Sequence, residues 1–416
     1  MLAGATVPFF GGAAVAEPGS NADALFAAGK FEQAGRAYEE ILRKEPENLR
    51  AARQRGYVGL LSNRFTEAEK YFKVALRLAP ADKETNWLLG DCYIRQDKFA
   101  LSVPCWQAAG EEAYATWFAA VRGNPYEIHG DTGRVPFLRM DPSVQVQASV
   151  NGGPLKRFSF YTGAPWLGVS AAVAKEAGLK SVYKQKTEFE NGFVWMYFGM
   201  LDSFKIGGIE VRNVPVGWSE PAGADVPPQT DDGLIGTWFF YHLLTTFDYA
   251  GRSLILRRRT SEAARKARAG SKPLPMWLAL EHYVHSQGSF AGSTDSGPRV
   301  VGVNLGGNSE IIAGLRGKTA EQLGIRSDYD REIGTFGSSH PAVVYPCYPN
   351  EVRLGDAVAK GVYCYNNPNQ KPNVPWPYGT GFDTIGWFSH CFWKPYNVTL
   401  DFTEMRLYIA RGKATG

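Results

Sequence analysis

The chain has 416 residues, enough for two or three domains that each bury a core of their own. Hydrophobic residues make up 44% of the sequence and charged residues 21%, as in ordinary globular proteins. The net charge of +4 arises from 45 basic and 41 acidic side chains, a balance that excludes the strong positive field of a nucleic-acid-binding protein. No uninterrupted apolar stretch reaches about 18 residues, so the sequence predicts no membrane span.

Residues 1–16 are apolar and contain no charged side chain, and they end in Ala14-Val15-Ala16. Small residues at these spacings are typical of the cleavage site of an export signal. The basic segment that precedes the apolar part of such signals is absent, so the stretch resembles the remnant of a signal peptide. We therefore predict a periplasmic or secreted protein, with a cytoplasmic protein as the alternative.

Residues 17–122 repeat with a period of 34. Aromatic residues recur at two positions of this period: Phe31, Phe65 and Phe99, and Tyr38, Phe72 and Trp106. The period and the residue types resemble tetratricopeptide repeats, in which each helical hairpin buries its apolar stripe against the next. We predict an α-helical solenoid of three repeats with a capping helix, and the resemblance implies a protein partner.

From about residue 135 the apolar residues alternate with a period of two, as in Val144, Val146 and Val150, which predicts β-strands. Two β regions are expected, at residues 135–257 and 276–411. Residues 258–275 between them are basic, carry prolines near their end, and are predicted to be a linker. The fold class is therefore α+β, with an N-terminal helical part followed by two all-β lobes.

Each β region contains a turn that follows an apolar strand and precedes a helix-like stretch. The two turns are Tyr161-Thr162-Gly163-Ala164 and Asn304-Leu305-Gly306. They resemble the Asp-Thr-Gly turns of retropepsin-like aspartic peptidases, with Tyr161 and Asn304 in place of the two aspartates. The resemblance implies that the lobes pair as a pseudo-dimer within one chain. It also implies a cleft between them in which four turn residues bind a peptide or small ligand: Thr162, Gly163, Leu305 and Gly306.

An aspartic peptidase needs two neighbouring carboxylates that share a proton, because one polarises the carbonyl while the other activates water. A phenol and an amide cannot perform that chemistry. Tyr161 and Asn304 nevertheless remain candidate site residues, together with Asp232 and Asp383, which lie just before the Ile-Gly elements that line the cleft in the resembled fold. The alternative role for these two aspartates is to cap a helix or hold a turn.

Three functions follow from these residues. The first is a catalytically degenerate peptidase-like protein, a pseudoenzyme that grips a ligand while its repeats bind a protein partner. The second is an enzyme of non-peptidase chemistry that uses Tyr161 with Asn304 or a nearby aspartate. The third is an aspartic-type endopeptidase with displaced carboxylates. We favour the first, because both aspartates of the peptidase pair are replaced.

A pair of cysteines and a pair of histidines are further candidates for a chemical role. A hairpin centred on Gly355-Asp356 would place Cys347 opposite Cys364, so these cysteines form either a cross-strand disulfide or two reduced thiols. His282 and His285 are expected on opposite faces of a strand, where they cannot share a metal. The sequence therefore predicts no metal and no cofactor.

Overall fold

The computed structural model describes residues 21–189, 192–221, 231–279, 282–306, 311–334, 343–376 and 379–413. The predicted export-signal remnant lies outside these ranges. The chain forms two units. The helical unit runs to Val121 and also includes Asn373–Asp383, and the β unit comprises Arg122–Pro372 and the chain from Thr384 onward. The first predicted lobe, the predicted linker and the second predicted lobe apart from Asn373–Asp383 therefore belong to one unit.

The described part of the helical unit is built from seven helices. They are α1 Asn21–Ala27, α2 Phe31–Lys44, α3 Leu49–Leu61, α4 Phe65–Leu78, α5 Lys83–Ile94, α6 Phe99–Ala109 and α7 Glu112–Ala119. Successive helices pack as antiparallel neighbours because only short turns connect them. None of the described helices has both the length and the apolar character needed to cross a membrane.

The 34-residue period of the sequence corresponds to a repeated packing contact. A Cβ atom on Gly56 would lie 2.5 Å from the Phe72 ring, and one on Gly90 would lie 2.8 Å from the Trp106 ring. Glycine at these positions lets the two helices of each hairpin approach closely. The caps follow the same period: Asn48 caps α3, and Asp82 caps α5 through a carboxylate that accepts the Thr85 N–H at 3.0 Å.

The segment Asn373–Asp383 packs within the helical unit through one aromatic side chain. Phe382 is fully buried, and its ring centroid lies 4.9 Å from that of Phe31 and 5.9 Å from that of Phe26. The hydroxyl of Tyr57 donates to the Thr380 carbonyl at 3.2 Å. This segment comes from the middle of the second predicted β region, so its place in the helical unit differs from the sequence-based expectation.

The first half of the β unit, residues 127–258, contains eleven described strands and two short helices. The strands are β1 Glu127–His129, β2 Thr132–Pro136, β3 Gln145–Val150, β4 Leu155–Phe160, β5 Leu167–Ser170, β6 Ser181–Phe189, β7 Gly192–Ile206, β8 Ile209–Pro221, β9 Gly233–Ile235, β10 Leu243–Asp248 and β11 Ser253–Arg258. The helices are α8 Ala171–Glu176 and α9 Thr237–Phe240. Strand structure thus begins at Glu127, earlier than the predicted boundary at residue 135.

The second half, residues 274–411, follows the basic helix α10 Ser261–Arg268, which occupies the predicted linker. Its described strands are β12 Leu274–Pro275, β13 Trp277–Ala279, β14 Tyr283–Ala291, β15 Arg299–Val303, β16 Ala313–Arg316, β17 Arg326–Ser327, β18 Ile333–Gly334, β19 Val343–Tyr348, β20 Glu351–Leu354, β21 Ala357–Lys360, β22 Cys364–Asn367, β23 Gly386–Phe388, β24 Tyr396–Asp401 and β25 Arg406–Arg411. Its helices are α11 Thr319–Gln322 and α12 His390–Trp393.

Five strands lie in the same order in each half. The first half has β8-β5-β9-β4-β3 side by side, and the second half has β22-β16-β23-β15-β14. In the first half β7 also pairs with β8, which closes these strands into a ring around a core that includes Phe158, Phe160 and Phe204. The two halves are therefore built on one strand plan, and this plan brings each glycine turn to the end of a central strand.

A six-stranded sheet, β12-β25-β24-β10-β11-β2, is shared by the two halves. Its central strands β10 and β24 are antiparallel and pair Thr246 with Thr399. These two residues occupy equivalent positions of the two halves, and the register is symmetric about them. Their hydroxyl oxygens lie 2.8 Å apart in a buried hydrogen bond. The shared sheet fixes the position of one half relative to the other, because strands from both halves pair within it.

Candidate functional site

Tyr161 and Asn304 occupy equivalent positions at the ends of β4 and β15. Strand β4 runs parallel to β9, and the Tyr161 N–H donates to the Ile235 carbonyl at 3.1 Å. Strand β15 runs parallel to β23, and the Asn304 N–H donates to the Phe388 carbonyl at 2.9 Å. The same backbone bond therefore fixes both turns, which places the phenol and the amide at equivalent positions of the two halves.

The two turns are joined by the hydroxyl of Thr162. This hydroxyl donates to the Val303 carbonyl at 2.9 Å and accepts the Leu305 N–H at 3.0 Å. Thr162 is only 1% exposed and Leu305 is fully buried, so water does not compete for these bonds. Leu305 has no hydroxyl that could make the equivalent bonds to the first turn, so only the Thr162 hydroxyl joins the two turns in this way.

The Tyr161 ring lies between the glycines of the two turns. A Cβ atom on Gly163 would lie 2.5 Å from Cζ of Tyr161, and one on Gly306 would lie 2.8 Å from its Cδ2. On Gly306 the same atom would also lie 2.5 Å from the Phe160 carbonyl oxygen. Glycine is therefore required at both positions, because the Tyr161 ring lies too close to leave room for a Cβ atom. The turns of the two halves are in direct contact around this ring.

Tyr161 is half-buried, and it is neutral at physiological pH. Burial raises the pKa of the phenol above its ordinary value, and the nearby guanidinium of Arg316 offsets only part of that increase. The side-chain oxygen of Asn304 accepts the Gly306 N–H at 2.8 Å, so it is committed to its own turn. A neutral hydroxyl and an amide at this place can hydrogen-bond a ligand, but neither removes a proton from water.

Arg316 lies at the end of β16, and its guanidinium stacks on the indole of Trp387, with Cζ 4.3 Å from the ring centroid. Burial lowers the pKa of Arg316 to about 10, so the side chain remains charged at neutral pH. Electrostatic interaction with Tyr365, Tyr283 and Tyr161 raises that pKa and offsets part of the effect of burial. Among the described residues no carboxylate forms an ion pair with Arg316. No motif in the sequence marked this residue, because its partners are aromatic and distant along the chain.

Asp232 and Asp383 do not form an equivalent pair. Strand β9 begins at Gly233 and its counterpart β23 begins at Gly386, so the residue equivalent to Asp232 is Ile385. The Asp232 carboxylate accepts the Arg157 N–H at 2.8 Å and joins two chain segments. Asp383 belongs to the helical unit, where its N–H donates to the Ala27 carbonyl at 2.8 Å. The two aspartates therefore do not occupy equivalent positions, because the two Ile-Gly sequences lie at different points of their strands.

A second polar cluster lies beside the Asn304-Leu305-Gly306 turn. Nε2 of His390 lies 2.9 Å from Oδ1 of Asp141 and 3.6 Å from Sγ of Cys391. The carboxylate of Asp141 also accepts the Lys394 ammonium at 2.9 and 3.0 Å. The ligand atoms of the aspartate, the histidine and the cysteine fall within 4.8 Å of one another. Such a donor set can hold a metal ion, although the lysine already neutralises the carboxylate.

The electrostatics of this cluster favour an ion pair on its exposed side. Burial raises the pKa of Asp141, but hydrogen bonds from His390 and Lys394 outweigh it and hold that pKa below its usual range. Burial lowers the pKa of His390, and Asp141 opposes that shift. No sequence motif marks this cluster, since Asp141 lies 249 residues before His390.

Cys347 and Cys364 lie directly opposite each other on β19 and β22, as the predicted hairpin requires. Both are fully buried free thiols. Burial raises the pKa of Cys364 to about 12 and raises that of Cys347 further still. Neither side chain is a thiolate at neutral pH, so this pair is not a nucleophilic site.

Two protein-family models match parts of the chain. A tetratricopeptide repeat model matches residues 20–83, and an aspartyl protease model matches residues 146–239. No curated protein matches the chain. The matches confirm a repeat region followed by a domain with an aspartyl protease-like fold, and the second match includes the turn that carries Tyr161.

Proposed function

We propose that the β unit is a pseudo-dimer that binds a peptide or small ligand where the two turns meet, without cleaving it. The observation that carries this proposal is the equivalence of Tyr161 and Asn304. The backbone N–H of each residue donates an equivalent hydrogen bond at the end of an equivalent strand, and neither residue is a carboxylate. Peptide hydrolysis by the aspartic mechanism needs two carboxylates at these places.

The same site supports binding because it presents neutral hydrogen-bonding groups on a rigid frame. The Tyr161 phenol remains protonated, since its pKa is raised, and it lies between two backbone segments that fix its ring. Thr162 holds the turns together from inside. Groups that are positioned in advance lose little entropy when a ligand binds.

A non-peptidase enzyme that uses Tyr161 as an acid or hydrogen-bond donor, with Asn304 or a nearby aspartate, is less well supported. Such a role needs a phenol with a lowered pKa, and burial has the opposite effect here. A peptidase with displaced carboxylates is also less well supported, because the carboxylate of Asp232 is already bonded to backbone.

The helical unit and the cellular location complete the proposal. We propose that the tetratricopeptide repeats bind a protein partner, since stacked helical hairpins commonly present an extended surface for that purpose. Residues 1–16 support export to the periplasm or beyond, and fractionation of cells that express the whole chain tests that location.

Proteolysis assays test the proposal directly. Purified protein is incubated with casein and with a mixed peptide library at pH 4 and pH 7, with and without pepstatin. We expect no cleavage by the wild type. Cleavage that pepstatin inhibits, and that Asp232→Asn abolishes, would show a displaced carboxylate pair and would contradict the proposal.

Ligand retention gives the positive readout. Native mass spectrometry of the wild type is compared with that of Tyr161→Ala and with that of Tyr329→Ala, whose exposed side chain provides the control. We expect a retained molecule, or affinity for one component of the peptide library, that Tyr161→Ala loses and Tyr329→Ala keeps. Equal retention by all three proteins would place the ligand elsewhere.

A further inference from the structure

Arg316 carries a positive charge that no described acidic side chain balances. Its Nε atom has no contact with solvent and no hydrogen-bond partner in the described structure. A charge that is removed from water without a partner is costly, so arginines in such places are usually paired with an anion. Arg316 is thus a cation for which the described residues provide no anionic partner.

The surroundings of Arg316 are aromatic. The guanidinium carbon lies over the Trp387 ring, 4.3 Å from its centroid, and Tyr365, Tyr283 and Tyr161 are close enough to interact with the charge electrostatically. Stacking holds the guanidinium plane by its face, whereas the N–H donors of an arginine lie along the edge of that plane. An arginine fixed in this way is suited to an oxyanion that accepts two parallel hydrogen bonds.

The position of Arg316 also connects it to the paired turns. Its counterpart in the first half is Ser170, which caps α8 through a hydrogen bond to the Val173 N–H at 3.2 Å. In the second half the residue at this position is charged and is near enough to Tyr161 to interact with it electrostatically. Arg316, Trp387 and Tyr161 are all half-buried, so a ligand from solvent can reach them.

We propose that Arg316 binds a carboxylate group of the ligand, with the Tyr161 hydroxyl as a second donor and Trp387 as an apolar wall. The inference rests on the proposed binding function and names the chemical class of its ligand. A carboxylate fits better than a phosphate, because one guanidinium balances a single negative charge and a phosphate carries nearly two. The aromatic walls further favour a carboxylate attached to an apolar group.

Isothermal titration calorimetry with three probes tests this site. The probes are phenylacetate, its neutral isostere phenylacetamide, and inorganic phosphate. We expect phenylacetate to bind the wild type at least tenfold more tightly than either of the other two, because only phenylacetate has both a single negative charge and an apolar body. Affinity for phosphate equal to that for phenylacetate, or no saturable binding of phenylacetate up to about 10 mM, would overturn the proposal.

Variants locate the binding. Arg316→Gln is expected to weaken phenylacetate binding at least tenfold, and Tyr161→Phe to weaken it by a smaller factor. Arg326→Gln is the matched control, because Arg326 also stacks on an aromatic ring, that of Tyr348 at 4.2 Å, but is exposed. Affinity that Arg316→Gln retains, or that Arg326→Gln loses equally, would overturn the assignment.

The results of these experiments separate this inference from the proposed function. If Arg316→Gln does not fold, the comparison of phenylacetate with phenylacetamide on the wild type decides the question alone. If the wild type hydrolyses peptides, the proposed function fails while the titration still reports on Arg316. If the wild type is inert and retains only neutral ligands, the proposed function stands and the carboxylate site is wrong.

Discussion

Removal of the Thr162 hydroxyl tests whether one side chain holds the two turns together. In Thr162→Val the Val303 carbonyl loses a donor at 2.9 Å and the Leu305 N–H loses an acceptor at 3.0 Å, with no change in side-chain shape. Thr162, Val303 and Leu305 are at most 3% exposed, so water cannot replace the lost bonds. Each buried group left without a partner costs about 1–3 kcal/mol, and the pair should destabilise the turn by about 2–6 kcal/mol.

Hydrogen–deuterium exchange of the peptide that contains Leu305 is the assay, since it reports local opening in a protein with two units. About 2 kcal/mol corresponds to an amide exchange rate roughly 30-fold faster. Thr162→Ser keeps the hydroxyl and should stay near the wild type. Thr237→Val provides a second control, because its hydroxyl makes a single bond of 3.2 Å to the Thr162 carbonyl. Unchanged protection of Leu305 in Thr162→Val would refute the reasoning.

Three further predictions concern other parts of the molecule. Burial lowers the pKa of His285 to about 4, so the unfolded chain takes up a proton near pH 6.5 before the folded protein does. Stability should therefore be fully present above pH 6.5 and fall by up to about 3 kcal/mol toward pH 4, and urea unfolding should show a smaller loss for His285→Asn. Phe382→Ala should destabilise the helical unit by about 3–5 kcal/mol, measured by thermal unfolding. Cys347 and Cys364 should react with iodoacetamide only after denaturation, because both are buried.

Each of these predictions has an outcome that contradicts it. An unfolding free energy for His285→Asn with the same pH dependence as the wild type would assign the acid sensitivity to other groups. A Phe382→Ala protein as stable as the matched surface variant Leu101→Ala would show that Phe382 is not packed as described. Alkylation of either cysteine in the native protein would show that the strands around them open readily.

The sequence by itself determined the repeated parts of this protein. The 34-residue period predicted the helical hairpins, and in two of them a glycine faces an aromatic ring so that the helices can approach, as Gly56 and Gly90 do. The period-two pattern predicted strands, and a turn at Gly355 was enough to place Cys347 opposite Cys364. Such features depend on neighbours along the chain, so a local pattern records them.

A local pattern does not record strand register, and the positions of Asp232 and Asp383 illustrate this. Similar short sequences, Ile235-Gly236 and Ile385-Gly386, suggested an equivalence that the strand register does not have. A shift of three residues along a strand is invisible to composition, but it decides which side chain faces which neighbour.

Only the tertiary structure decided what surrounds the turns. Arg316 is a candidate binding residue only because it lies beside Trp387 and Tyr161. The cluster of Asp141 with His390 joins residues from opposite ends of the β unit. Burial, charge balance and hydrogen bonds between distant strands depend on how the whole chain packs. Because they are properties of a three-dimensional neighbourhood, no single stretch of the sequence contains them.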